Sequence, residues 1–176
     1  MKDIPYSSRL EPMDSTDVAW LRMDSDTNLM MVTGVFLLAS PVTLARLRRA
    51  VKSRFAVFPR FRQRIVRQLT GVSYQFDPDF DVARHVVALP PGTVRGKGGL
   101  QRLVGELATM PLDPERPLWR MDFIPRYRGG SAIIMRIHHC YADGIALIQV
   151  LLAMTDASPD AVEPEPPVPE TKPEET

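Results

Sequence analysis

His138 and His139 stand side by side and are followed by Asp143-Gly144, in the run His138-His139-Cys140-Tyr141-Ala142-Asp143-Gly144. An imidazole titrates near neutral pH, so it can take a proton from a hydroxyl and later return it to a leaving group. Acyl transfer from a thioester to an alcohol needs such a base, together with hydrogen-bond donors for the oxyanion of the tetrahedral intermediate. Asp143, four residues after the second histidine, can hold the turn through an ion pair or backbone hydrogen bonds. Gly144 lets the chain turn where a Cβ would clash. Zinc binding is the competing chemistry. Adjacent histidines with one Asp and no further close ligand make poor zinc spacing, so no metal is expected. A histidine at a strand end is more often structural than catalytic. The joint pattern His-His-x-x-x-Asp-Gly is what favours catalysis.

The segment before the histidines, Ile133-Ile134-Met135-Arg136-Ile137, reads as a buried strand that delivers them. Alternate residues of a strand share a face. His139 therefore continues the face of Ile133, Met135 and Ile137, and His138 that of Ile134 and Arg136. The two rings point apart, so only one is expected to reach substrate. After Gly144, Ile145–Met154 is apolar on nearly every side and is expected to be a deeply buried helix.

Further elements follow from pattern. Asn28–Ala39 is apolar and ends before Pro41, which predicts a buried strand. Thr43 is a plausible N-cap for a helix over Leu44–Phe58, whose Leu44, Leu47, Val51, Phe55 and Phe58 form one stripe. Phe61–Gln68 and Val72–Phe76 flank Thr70-Gly71 as a hairpin. Pro90–Gly99 reads as a loop, Leu100–Met110 as a helix, and Leu118–Pro125 and Ala132–Ile137 as strands joined through Arg126–Gly130. Strands and helices mix without strict alternation, which predicts an α+β fold with a mixed β-sheet flanked by helices.

The chain has 176 residues, enough for one domain with a real core. Its longest apolar stretch, around Ala132–Ile137, is too short to span a bilayer, and Met1–Arg9 lacks the pattern of a signal peptide. One cysteine rules out an internal disulfide and fits a reducing, cytoplasmic setting. The net charge of +1 hides an asymmetry, because residues 159–176 are rich in proline and carry six acidic residues against Lys172. That composition predicts a lobe over residues 1–158 and an acidic Pro-rich linker or unstructured tail over 159–176. A linker at that point suggests part of a longer protein.

The run His138-His139-x-x-x-Asp143-Gly144 resembles the active-site motif of the chloramphenicol acetyltransferase-like superfamily. Within it, three further stretches resemble the bacterial wax ester synthase/diacylglycerol acyltransferase family. They are Met13-Asp14-Ser15-Thr16-Asp17-Val18-Ala19-Trp20-Leu21, with its Asp-x-x-Trp-Leu signature, Pro111-Leu112-Asp113-Pro114-Glu115-Arg116-Pro117-Leu118-Trp119, and Phe80–Val86. The likeness runs from Met13 to Asp156. Two segments depart from the pattern. Leu29-Met30-Met31-Val32 stands where the family has Pro-Met-His-Val, and Cys140-Tyr141 fills positions that are usually small or aliphatic. Neither is expected to touch the base.

The resemblance implies one lobe of a two-lobe acyltransferase, whose other lobe would supply much of the coenzyme A tunnel. It implies an acyl-CoA-dependent O-acyltransferase that makes wax esters or triacylglycerols, with acyl-CoA as substrate and no cofactor. In that reading His139 is the base, His138 supports it, and Asp143 is structural and pairs with an arginine such as Arg136 or one in the other lobe. Substrate-binding residues are not identifiable from sequence. The expected partners are acyl-CoA, a fatty alcohol or diacylglycerol, and a complementary C-terminal lobe. Two alternatives are an inactive or split half-enzyme and a peptide condensation-type acyltransferase.

Nine basic residues lie between Arg46 and Arg67 with no acidic residue among them. They suggest peripheral association with an anionic membrane or lipid-body surface, or attraction of coenzyme A phosphates, against an ordinary solvated face. The region's aromatic residues fall on the predicted buried stripe, so nucleic acid is not expected. Trp20 and Trp119 are expected to pack in the core or line the channel, Cys140 to lie in the core, and Asp113 and Arg116 to form a local ion pair.

Overall fold

The computed structural model describes residues 10–141 and 144–155. Asp143 and the segment 159–176 lie outside them. A four-stranded sheet has the order β2 (Met31–Leu38), β7 (Gly130–His138), β6 (Trp119–Tyr127), β5 (Val86–Ala88). β5 runs parallel to β6 and the other pairs are antiparallel, so the sheet is mixed, as expected. A smaller antiparallel sheet has the order β1 (Leu10–Pro12), β4 (Gly71–Phe76), β3 (Gln63–Gln68). The helices are α1 (Ser15–Met23), α2 (Leu44–Ala50), α3 (Val82–His85), α4 (Gly96–Ala108) and α5 (Gly144–Ala153).

β7 is central and buried along its whole length because both faces are covered. Ile133, Met135 and Ile137 pack into the larger core with Trp119, Phe55 and Phe61. Ala132 and Ile134 pack on the opposite face, against Leu100 and Leu107 of α4. Phe55 lies 4.0 Å from Phe61 and 4.8 Å from Trp119, ring to ring. Each such pair contributes about 0.5–1.5 kcal/mol beyond burial. The Trp119 indole donates to the Phe61 carbonyl at 2.8 Å, which completes its burial.

Several elements differ from expectation. β2 is an edge strand, not a buried one. Val32, Phe36 and Leu38 pack on the core, while Val35 and Leu37 are 41% and 63% exposed. Alternation places them on the face of Ile134 and Ala132, their partners across the sheet, where α4 shields the central strand but leaves these two edge side chains open. Thr43 does cap α2, its Oγ1 accepting from Arg46 N at 3.2 Å, but the helix then widens through one π-turn over Val51–Phe55. Phe58 therefore leaves the stripe. α4 begins at Gly96, inside the predicted loop, because glycine's high helix cost is tolerated in a first turn backed by buried Leu100 and Leu107. The β6–β7 connection is a two-residue turn, with Arg128 at φ 49° and Gly129 at φ 88°, the left-handed pair that a tight hairpin requires. In α5, Leu147 and Val150 are buried but Ile148 and Leu152 are 58% and 63% exposed, so that helix is not buried all round.

Candidate active site

β7 ends at His138, and the chain closes into a single 3₁₀ turn over His139–Tyr141. The turn is held at each residue. Met30 accepts the His139 N–H at 2.9 Å, the Cys140 N–H donates to His138 Nδ1 at 3.2 Å, and the Tyr141 hydroxyl donates to the Gln63 carbonyl at 2.7 Å. The Tyr74 hydroxyl reaches both the Cys140 carbonyl and Asp17 Oδ2. Above Tyr74, the Arg60 guanidinium sits 3.5 Å from the ring centre and 3.9 Å from Asp17 Oδ2. Burial pushes the Tyr74, Tyr141 and Cys140 acids far up, so all three stay protonated at neutral pH.

The two histidines have different surroundings. His138 is buried, and burial holds its imidazole below the ordinary 6.5, with the Asp24 carboxylate opposing that shift and His139 adding to it. Accepting the Cys140 amide requires a lone pair on Nδ1, so the neutral ring carries its proton on Nε2. That N–H points toward Asp24 Oδ1, 3.7 Å away and too long for a hydrogen bond. His138 has no lone pair left for a substrate. His139 is half-buried and stacks on the Trp20 indole, with centroids 4.6 Å apart and planes 18° from parallel. Its ring nitrogens have no hydrogen-bond partner among the described residues. The stack fixes the ring by its face and not through either nitrogen.

A cleft of about 290 Å³ opens beside His138, with Asp24, Leu21, Met31, Ile65 and Leu118 in its wall. Pro111 and Leu112 separate it from a second cleft, of about 490 Å³, that holds His85, Arg116, Arg120, Asp122 and Arg136. Arg136 is committed there. Its Nη2 lies 3.3 Å from Asp122 Oδ2, and its Nη1 donates to the Leu107 and Met110 carbonyls at the C-terminal end of α4, each at 2.9 Å. It is thus a helix-end cap within the fold.

Most of the basic run is also tied inward. Arg48 donates to the Val86 and Ala83 carbonyls, Arg60 pairs with Glu11, Arg62 lies over Phe76, and Arg64 donates to Gln75. Arg46, Arg49, Lys52 and Arg67 remain exposed. Among the described residues no cluster of three His, Cys, Asp or Glu could hold a metal, and no helix is long and apolar enough to cross a membrane.

The structure thus sets His139 and His138 in one turn, with Gly144 at the start of α5. Cys140 and Trp119 lie in the core, and Arg116 pairs with Asp113 at 3.0 Å, as expected. Trp20 packs partly buried against the core, as expected, and its ring also forms the wall behind His139. Its place in the Asp-x-x-Trp-Leu signature was the available signal. Met30 also touches His139, through its backbone carbonyl, although the segment was expected to stand clear of the base. Asp24 carried no signal in sequence.

A mixed sheet that delivers a histidine turn from its central strand is the architecture of a chloramphenicol acetyltransferase-like lobe. The family model for the wax ester synthase/diacylglycerol acyltransferase catalytic domain matches residues 13–176, and the chain belongs to that family. It is 32% identical over 159 residues to a provisionally named diacylglycerol O-acyltransferase of Mycobacterium tuberculosis, covering 84% of this chain and 31% of that protein. A second protein of that species, provisionally named in the same way, is 28% identical over 178 residues, with coverage of 92% and 34%. The chain spans about a third of the length of these curated relatives. Among solved structures, the wax ester synthase/diacylglycerol acyltransferase of Marinobacter aquaeolei VT8 superposes with a TM-score of 0.68 at 24% identity, covering 86% of this chain and 38% of that one. The starter condensation domain of rhizomide synthetase gives 0.66 at 13% identity, covering 84% and 38%.

Proposed function

We propose that this chain is the histidine-bearing lobe of an acyl-CoA:alcohol O-acyltransferase that esterifies a fatty alcohol or a diacylglycerol. The observation that carries the reading is the contrast between the two imidazoles, one with its lone pair taken by a backbone amide, the other stacked, half-buried and without a hydrogen bond at either nitrogen among the described residues. In this reading a His139 nitrogen accepts the hydroxyl proton as the oxygen attacks the thioester carbonyl. The tetrahedral intermediate collapses with cleavage of the C–S bond, and the imidazolium returns the proton to the departing coenzyme A thiolate. No acyl-enzyme is needed, and none is offered by Cys140, which is buried and protonated. His138 supports the turn through Cys140. Asp143, which lies outside the described residues, is proposed to be structural.

Acyl-CoA, the acceptor alcohol and a complementary lobe are the proposed partners, and no cofactor is invoked. The exposed Arg46, Arg49 and Lys52 form a reduced basic patch for peripheral contact with an anionic lipid surface. The test uses the complete gene product with radiolabelled acyl-CoA and, in parallel, a long-chain alcohol, a diacylglycerol and a carrier-bound aminoacyl acceptor. Ester formation with either of the first two is expected. Amide formation with the third alone would replace this reading with the condensation chemistry.

A further inference from the structure

We infer that Asp24 is a positioning residue for His139, acting as the tether that sets the imidazole against Trp20. The inference rests on the proposed role of His139. Asp24 follows directly on α1, which carries Trp20, and its Oδ1 accepts the Met30 N–H at 2.7 Å. Between them, Ser25 and Asn28 exchange two backbone hydrogen bonds, at 2.9 and 3.2 Å, that close a tight turn. The carboxylate thus spans the turn and fixes Met30 relative to the helix. The Met30 carbonyl in turn accepts the His139 N–H at 2.9 Å. His139 is therefore held at two points, by its peptide through Met30 and by its ring through Trp20, and Asp24 links the two.

A third contact converges on the same atom. Asp24 Oδ1 also lies 3.7 Å from His138 Nε2. Met31, the first residue of β2, pairs with His138 across the sheet. One carboxylate oxygen thus faces both histidines' supports, while its side chain remains one-third exposed. Nothing in the fold's core needs it there. The hydrophobic packing of β2 and α1 runs through Leu21, Val32 and Phe36 instead. Without the tether, the segment from Asp24 to Met30 keeps its turn but loses the bond that aligns the Met30 carbonyl. Small misplacements of a base cost large factors in rate.

The complete gene product is compared with Asp24→Ala, Asp24→Asn and Asp24→Glu in two measurements. The first is kcat and KM for ester formation. The second is the quenching of Trp20 fluorescence by the stacked imidazole, identified as the component lost on His139→Ala. Asp24→Ala is expected to lower kcat about tenfold or more with KM within about threefold, and to halve the quench. Asp24→Asn keeps an oxygen for the Met30 N–H and should hold kcat within about threefold of wild type, with the quench intact. Asp24→Glu keeps the charge but moves the acceptor by one methylene, and should resemble Asp24→Ala. The Glu and Asn variants decide the matter even if the Ala variant does not fold. Full activity and full quench in Asp24→Ala or Asp24→Glu, or an Asn variant as poor as Ala, would overturn the inference. If the wild-type enzyme forms no ester, the proposed reaction fails, while the quench still reads the tether.

Discussion

A base must offer its substrate a lone pair on an accessible nitrogen, which separates His139 among the described histidines, since the lone pair of His85 falls on a buried Nε2. His138 Nδ1 is engaged by the Cys140 amide, and His85 Nδ1 lies 2.8 Å from the Trp119 carbonyl, to which it donates. Both rings are buried, and burial depresses both below the ordinary 6.5. The native state therefore binds fewer protons at these positions than the unfolded chain just below that pH. Their contribution to stability is complete above 6.5 and is lost as pH falls through it toward their lower native values. Denaturant unfolding between pH 5 and 8 is expected to show that loss, and His138→Asn with His85→Gln should flatten it. A slope unchanged by both substitutions contradicts the assignment. Cys140, fully buried and with its thiol pushed far up, should react with a thiol reagent only on unfolding, read as reagent release against unfolded fraction.

Strand alternation placed His138 on the face of Ile134 and Arg136, but β7 ends there, and the setting of His139 follows from the 3₁₀ turn and not from continued strand register as expected. Thr43 and the Thr70-Gly71 hairpin were legible because their signals are local. What was not legible depended on partners distant in sequence. Trp20 looks like any core aromatic until α1 is laid across the His139 turn, and the edge position of β2 follows from which strands pair, which no local pattern states. The start of α4 at Gly96 was hidden by glycine's poor propensity, which tertiary packing overrides. One element-scale consequence is testable. A Cβ on Gly130, the first residue of β7, would fall inside the contact radius of the Leu38 carbonyl oxygen at the end of β2. That obstacle is backbone, so Gly130→Ala should destabilise the fold by about 1–3 kcal/mol, measured as a lowered denaturation midpoint. An unchanged midpoint would mean that the two strands part there at no cost.

At the scale of the molecule, the chain belongs to a family whose curated relatives are about three times its length. Val35 and Leu37 on the edge strand and Ile148 and Leu152 on α5 present apolar surface that a lone lobe would leave in water. Expressed alone, the 19.8 kDa chain should elute from gel filtration above monomer size, and Leu37→Lys with Leu152→Lys should restore the monomer. A wild-type monomer at micromolar concentration would argue against that surface being sticky. The central claim concerns the chemistry, and it is tested in the complete gene product by ester formation from acyl-CoA and a long-chain alcohol or diacylglycerol. Removing a general base typically costs 10²–10⁴-fold, so His139→Ala should lose about a hundredfold or more in kcat, while His138→Asn, which preserves an acceptor for Cys140, should stay within about tenfold. Activity within a few-fold of wild type in His139→Ala, with the loss falling on His138→Asn instead, would contradict it.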